Sequence, residues 1–228
     1  MQNILITGAS RGIGLGLAET YLNAGAQVHA VVRNPDSAEL RQLQARFAEH
    51  LQLIVCNLND TEAGARILAQ LAAPALDAVI LNAGVYGPTH QDIAQASTHE
   101  INELFLSNAI APLRLARQLA PRVGSGGVIA FMSSQMASVE LARAAQMPLY
   151  GASKAALNSL IRSWSQATDS PAATLLALHP GWVRTAMGGD QAPLEVADSA
   201  AGLQRSIAHY AGQGGCHFID YQQQVLPW

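Results

Sequence analysis

Short apolar runs recur along the chain at Asn3–Ile6, Gln27–Val32, Leu51–Cys56, Ala78–Leu81, Val128–Met132, Thr174–His179 and Cys216–Ile219. Between them lie stretches with helical spacing of apolar residues, near Gly12–Ala24, Ser37–Glu49, Thr61–Ala72, Thr98–Leu119, Leu149–Ala167 and Glu195–Tyr210. Apolar strands separated by helices of about ten residues or more read as repeated βαβ units. Right-handed crossovers then give an α/β fold, a doubly wound, seven-stranded parallel sheet with helices on both faces. No linker, repeat or low-complexity tract breaks the alternation, so residues 1–228 read as a single domain.

In such a sheet, ligands bind beyond the carboxyl ends of the strands, near the point where strand order reverses. Gly8 follows the first strand, Asn82 the fourth, Ser134 the fifth and Pro180 the sixth. The residues with chemistry to offer thus gather at one rim.

The segment Thr7-Gly8-Ala9-Ser10-Arg11-Gly12-Ile13-Gly14 joins the first strand to the first helix. Gly8 is free to take a turn conformation closed to other residues, and Gly12 lets backbone approach a ligand. Gly14 removes a side chain where helix meets sheet. The helix N-terminus offers free N–H groups to a pyrophosphate. A plain tight turn would use the same glycines, but the strand–turn–helix setting favours a dinucleotide. After the second strand comes Val31-Val32-Arg33-Asn34, with no acid before Asp36. A carboxylate there would hold the ribose hydroxyls of NAD, whereas Arg33 and Arg11 suit a 2′-phosphate by charge and fork geometry. The expected cofactor is NADP(H) in preference to NAD(H).

Composition narrows the remaining classes. Half of the 228 residues are hydrophobic and only 13% are charged, which fits a sheet covered on both faces. A net charge of −3 without a basic run argues against nucleic acid or an anionic membrane as partner. No apolar stretch is long enough for a transmembrane helix, and the chain enters a strand at once, leaving no room for a signal peptide. Cys56 and Cys216 fall at opposite edges of the expected sheet and read as free, buried thiols, which suits a reducing cytoplasm. The seven histidines show no metal-ligand spacing, so no metal site is expected.

Tyr150 and Lys154 stand four residues apart in Tyr150-Gly151-Ala152-Ser153-Lys154, on one face of a helix. A neighbouring ammonium favours the phenolate, and lowering the phenol's pKa by roughly two to three units corresponds to about 3–4 kcal/mol. The pair alone is a weak signal. It gains weight from Thr7–Gly14, Asn82-Ala83-Gly84, Asn108, Ser133-Ser134 and Pro180-Gly181-Trp182-Val183-Arg184-Thr185, met in that order. With these together, the chain resembles the short-chain dehydrogenase/reductase family in its compact single-domain branch. Its ending, Phe218-Ile219-Asp220-Tyr221 and then Leu226-Pro227-Trp228, is similar to the Sniffer-type and C-factor-type carbonyl reductases.

The resemblance implies a catalytic tetrad. Tyr150 would donate a proton to the substrate carbonyl oxygen, Lys154 would lower the phenol's pKa and bind the nicotinamide ribose, and Ser134 would hydrogen-bond the carbonyl oxygen. Asn108 would hold a water linking Lys154 to solvent. Spacing to Tyr150 is longer than the family's usual, so Ser133 and Ser138 compete with Ser134, which is preferred because it follows the strand directly. Cofactor contacts carry over to Gly8, Ser10, Arg11, Gly12, Ile13, Gly14 and Arg33. They extend to Asn57 and Leu58 at the adenine, to Asn82, Ala83 and Gly84, and to Pro180, Gly181, Val183 and Thr185 beside the nicotinamide. Asn57 stands where the family often has aspartate, and its amide oxygen can still accept from the adenine amino group.

Ala186–Leu194 is short for a substrate cap and contains glycines, which suggests an open or mobile pocket. Met136, Val139, Leu141, Met147, Trp182 and Met187 could line it. Such a wall favours a hydrophobic aldehyde or ketone, and methionines tolerate varied shapes. The expected activity is NADPH-dependent carbonyl reduction. A dinucleotide-sensing or signalling role on the same fold is the alternative, and would be expected to lack the tyrosine or lysine. The family also suggests a homodimer or homotetramer built on the Thr98–Leu119 and Leu149–Ala167 helices.

Overall fold

The computed structural model describes all residues, Met1–Trp228. Seven strands, β1 (Asn3–Thr7), β2 (Gln27–Val32), β3 (Leu51–Val55), β4 (Leu76–Leu81), β5 (Val123–Met132), β6 (Thr174–His179) and β7 (Cys216–Asp220), form one sheet. Their order is β3-β2-β1-β4-β5-β6-β7 and every pairing is parallel. The chain runs outward from β1 to one edge and returns to start again at β4. The reversal therefore falls between β1 and β4, whose ends carry Gly8 and Asn82.

Strand alternation divides the core between the two faces. Ile4, Ile6, Val28, Ala30, Ile80 and Leu176 face α1 (Gly12–Asn23), α2 (Ala38–Arg46) and α7 (Val196–Tyr210) through Leu17, Leu40 and Leu203. Leu5, Val31, Val79, Phe131 and Leu175 face α3 (Ala63–Gln70), α5 (Ala111–Leu119) and α6 (Pro148–Ser165) through Ile67, Leu115 and Leu157. No helix is long and apolar enough to cross a membrane.

The structure differs from the sequence expectations in three places. The expected helix Thr98–Leu119 is α4 (Thr98–Phe105), a wide π-helical turn at Leu106–Ile110, and α5. Pro112 explains the break, because it has no N–H to give the Asn108 carbonyl four residues back. β5 begins at Val123, ahead of the expected Val128, and its register against β4 shifts between Leu76 and Ala78. Cys56 directly follows edge strand β3 and Cys216 opens edge strand β7, both as free thiols, but Cys216 is only half-buried.

Candidate active site

The carboxyl ends of β1, β4, β5 and β6 converge on the reversal point, and close approaches between backbones show how tightly. Gly8 has φ +67°, and a Cβ there would lie 2.8 Å from Ala83 Cα. Any other residue would be both strained and in collision. A Cβ on Gly14 would lie 2.3 Å from the Gly8 carbonyl oxygen and 2.5 Å from Asn82 Nδ2, so α1 can start against the strand end only with glycine there. Thr7 Oγ1 accepts from the main-chain N–H groups of Asn82 (3.1 Å) and Ala83 (3.2 Å), fastening β1 to β4. Gly12 sits beneath Thr185, whose Cγ2 is 3.3 Å from the position of a Cβ. Arg11, the N-cap of α1, makes no side-chain cap, and the first turn holds no acid. Its N–H groups therefore face outward without a side-chain acceptor. Ser10 is tied in by its carbonyl, which accepts from Ser37 Oγ at 2.8 Å.

Arg11 and Arg33 are exposed and neither forms an ion pair. The nearest acid after β2, Asp36, is held by Arg41 at 2.5 Å. Asn57 is exposed just beyond β3, where its Oδ1 accepts from Asn59 N–H at 3.3 Å, and Leu58 is half-buried beside it. These residues flank the cradle along the same rim but make none of its close contacts.

On the other side of the reversal, Lys154 is buried with its ammonium 2.8 Å from the Met132 carbonyl oxygen and 5.7 Å from the centre of the Tyr150 ring. It also lies 3.3 Å from the place a Cβ of Gly84 would occupy. Asn108 is fully buried. Its Oδ1 accepts from Val85 N–H (2.8 Å), while Nδ2 donates to the Val85 carbonyl (2.8 Å) and to Ser153 Oγ (3.0 Å). These contacts use both Nδ2 hydrogens and one of the two Oδ1 lone pairs. Ser134 caps the short turn Gln135–Ala137, its Oγ accepting from Met136 N–H at 3.1 Å with its own hydrogen uncommitted. Of the competing serines, only Ser133 has its hydroxyl hydrogen spent elsewhere. Ser133 Oγ donates to Asn158 Oδ1 at 2.7 Å inside the core, and Ser138 Oγ accepts from Leu141 N–H.

The electrostatics correct one expectation. Burial pushes the Tyr150 phenol up to about 12, not down, and pulls Lys154 to about 8. The ammonium lies against the ring and spends its shortest contact on a carbonyl, so loss of water outweighs its pull on the phenol.

The Pro180–Leu194 segment is stapled, whereas its glycines suggested an open or mobile cap. Arg184 N–H donates to the Leu194 carbonyl, and its guanidinium holds both the Ala192 carbonyl and Glu195. Trp182 Nε1 donates to Gly188 O at 2.8 Å, Gly188 N–H donates to Thr185 Oγ1 at 3.0 Å, and the Pro180 carbonyl accepts from Ser199 Oγ. Gly181 is pressed against Leu194 and Tyr221, and Val183 is buried where it bridges to Leu194. Val139, Trp182 and Met187 are exposed, and Met136, Leu141 and Met147 are half-buried, so none of the six is core filling. Two residues that carry no motif in the sequence join the group. The Tyr86 ring lies 6.1 Å from that of Tyr150 and nearly parallel to it, and Gln91 is buried between their segments.

Known proteins resemble this chain in sequence and fold. The family model for short chain dehydrogenases matches residues 2–195. The C-signal protein of Myxococcus xanthus is 34% identical over 67% of this chain and 93% of its own length. A solved carbonyl reductase from Pseudomonas aeruginosa PAO1, in complex with NADP, is 55% identical with TM-score 0.94 over the whole of both chains. The Drosophila melanogaster carbonyl reductase Sniffer superposes with TM-score 0.89 at 28% identity, again over both whole chains.

Proposed function

Because the chain belongs to the short-chain dehydrogenase family, we propose that it is an NADP(H)-dependent oxidoreductase that reduces hydrophobic aldehydes or ketones to alcohols. Residues 1–228 act as one dinucleotide-binding unit. The observation that carries the reading is the buried Lys154 ammonium set against the Tyr150 ring at the rim that holds the glycine cradle. The residues present fit the dinucleotide. Gly8, Ser10, Gly12, Ile13 and Gly14 leave a strand-to-helix turn open at α1's N-terminus, which suits a pyrophosphate. Arg11 and Arg33, free of carboxylates, suit the 2′-phosphate. Asn57 and Leu58 would flank the adenine, Asn82–Gly84 the ribose, and Pro180–Thr185 the nicotinamide. The relative bound to NADP supports the same choice.

When bound, the nicotinamide supplies a hydride to the carbonyl carbon. Ser134 would donate a hydrogen bond from its uncommitted hydroxyl to the carbonyl oxygen, keeping its own hydrogen and stabilising the charge that develops there. Tyr150 delivers its proton to that oxygen. A phenol at about 12 is protonated at neutral pH, the form a donor needs, and an alkoxide is still basic enough to take the proton. Lys154 stabilises the phenolate left behind. Any water beside Lys154 would be held by the Asn108 carbonyl, which Pro112 leaves without its ordinary helical donor. Met136, Trp182 and Met187 would receive the apolar part of the substrate. The two free thiols are in keeping with a cytoplasmic setting. A homodimer or homotetramer would pair through the Ile110, Leu113 and Leu160 strip of the α5 and α6 face, and a species of one chain's mass in sedimentation would exclude it.

The test is NADPH absorbance followed against a panel of aldehydes, ketones and quinones, with the unaltered protein and Tyr150→Phe. Turnover should fall roughly 10²–10⁴-fold in the variant, with NADPH affinity within about twofold. Turnover unchanged in the variant would remove Tyr150 as donor. NADPH that binds but is never consumed would favour a dinucleotide-sensing role.

A further inference from the structure

The loop between β4 and α4 sends one amide side chain inward where α6 begins. Gln91 is buried, and its backbone takes the left-handed conformation, φ +51°. Its Oε1 accepts from the main-chain N–H of Tyr150 at 2.9 Å. Its Nε2 donates to the carbonyls of Pro88 at 2.8 Å and Tyr86 at 3.1 Å.

The start of α6 needs an acceptor from outside. Met147 at its N-cap makes no side-chain cap, and Pro148 occupies the first position. The Tyr150 N–H lies in the first turn, where a helix leaves its donors without internal partners. A serine or aspartate at the N-cap would ordinarily accept from it. Gln91 fills that place from 59 residues away. The same amide holds the segment bearing Tyr86, whose ring is nearly parallel (21°) to that of Tyr150. One side chain thus fixes the backbone that carries the phenol and the ring that borders it.

We propose that Gln91 is a positioning residue that sets the orientation of the Tyr150 phenol. Its consequence for turnover rests on the reading of Tyr150 as proton donor. The orientation itself does not.

Two variants and two readouts test it. Protein labelled with ¹³Cζ-tyrosine gives five resonances, one for each tyrosine, with Tyr150 and Tyr86 assigned by Tyr150→Phe and Tyr86→Phe. In Gln91→Leu the Tyr150 and Tyr86 resonances should move while those of Tyr21, Tyr210 and Tyr221 stay. The kcat should fall about tenfold or more, with the dissociation constant of NADPH within twofold. Gln91→Glu adds a signature that a merely structural clamp lacks. As the neutral acid it accepts from Tyr150 N–H and donates to one carbonyl, but as carboxylate it faces two carbonyl oxygens. Its kcat relative to the unaltered protein, and its Tyr150 resonance, should therefore approach the normal values as pH falls. Burial raises that carboxyl's pKa into an accessible range.

An unmoved Tyr150 resonance in folded Gln91→Leu overturns the proposal, as does NADPH affinity lost in proportion to turnover. If Gln91→Leu does not fold, Gln91→Glu decides, and a ratio and resonance offset flat with pH overturn it. An unaltered protein that consumes no NADPH with any carbonyl sinks the reductase reading instead, and the resonances still decide the role of Gln91.

Discussion

Lys154 brings an ammonium into the interior with a single hydrogen bond, to the Met132 carbonyl, and with no carboxylate partner. Burial pulls its pKa from 10.5 to about 8. That displacement corresponds to about 3 kcal/mol by which folding disfavours the charged form. At pH 7 the group is charged in both states, so the folded protein bears the cost in full. Between pH 8 and 10.5 the unfolded chain holds the proton more tightly, so this cost is relieved and stability rises with pH. Lys154→Met keeps the length of the side chain and removes the charge. It also leaves the Met132 carbonyl without its donor, at a cost of about 1 kcal/mol. The net expectation is a protein about 2 kcal/mol more stable and without turnover. At about 2–4 °C per kcal/mol for a domain of this size, the melting temperature should rise about 4–8 °C.

The assay is thermal melting at pH 7 without nucleotide, repeated up to pH 10 on both proteins. The unaltered protein should close part of the gap as pH rises, because only it has the ammonium to lose. A Lys154→Met variant with native circular dichroism that melts at or below the parent temperature would refute the reasoning. It would mean that the ammonium is stabilising where it sits and that burial is not the dominant influence on it.

Replacing Arg33 with alanine should weaken NADPH far more than NADH, by about 1.5–3 kcal/mol for a lost charged contact to phosphate. Equal losses in fluorescence titrations of the two nucleotides would overturn the assignment of the 2′-phosphate. His179, at the end of β6, has a buried Nδ1 without partner, and burial lowers its pKa to about 4, with Asp220 pulling it up and Arg143 pressing it down. The unfolded chain binds that proton near pH 6.5 and the folded one does not. This contribution to stability is therefore complete above about pH 6.5 and declines towards pH 4, by at most about 3 kcal/mol. Urea midpoints of the unaltered protein and His179→Gln at pH 7 and 4.5 check it. The variant should lose less on acidification, and parallel losses would contradict it.

Some of this architecture is local enough to read directly. Gln27–Val32 and Thr174–His179 are strands at the expected bounds, because apolar runs between turn residues leave little freedom. The glycines of the cradle are legible for the same reason, as they answer to contacts within their own strand–turn–helix unit. The wide turn at Leu106–Ile110 was hidden by helical spacing that continues through it, although Pro112 marks it once the missing N–H is counted. The cap looked loose because its glycines and short side chains are visible in sequence, while the partners that staple it are not. Arg184 finds Ala192 and Glu195, and Trp182 finds Gly188, only after the loop has folded. The pKa of Tyr150 was misjudged on similar grounds. Four-residue spacing reveals a cation beside a phenol, but loss of water depends on everything packed around them.

The hydrogen bonds of the site converge on the loop after β4. Tyr150 is held through its N–H by Gln91, which in turn grips Tyr86 and Pro88. Lys154 is one residue from Ser153, whose hydroxyl donates to the Tyr150 carbonyl and accepts from Asn108. Asn108 in its turn holds both main-chain groups of Val85. Phenol and ammonium are thus referenced to residues 85–91 by two independent chains of hydrogen bonds. The π-helical turn has a place in this scheme. An uninterrupted α4–α5 helix would rotate Asn108 by part of a turn and withdraw it from Val85 and Ser153. The proline that breaks the helix, far from the reacting atoms in sequence, is on this argument part of what keeps Lys154 and Tyr150 in register.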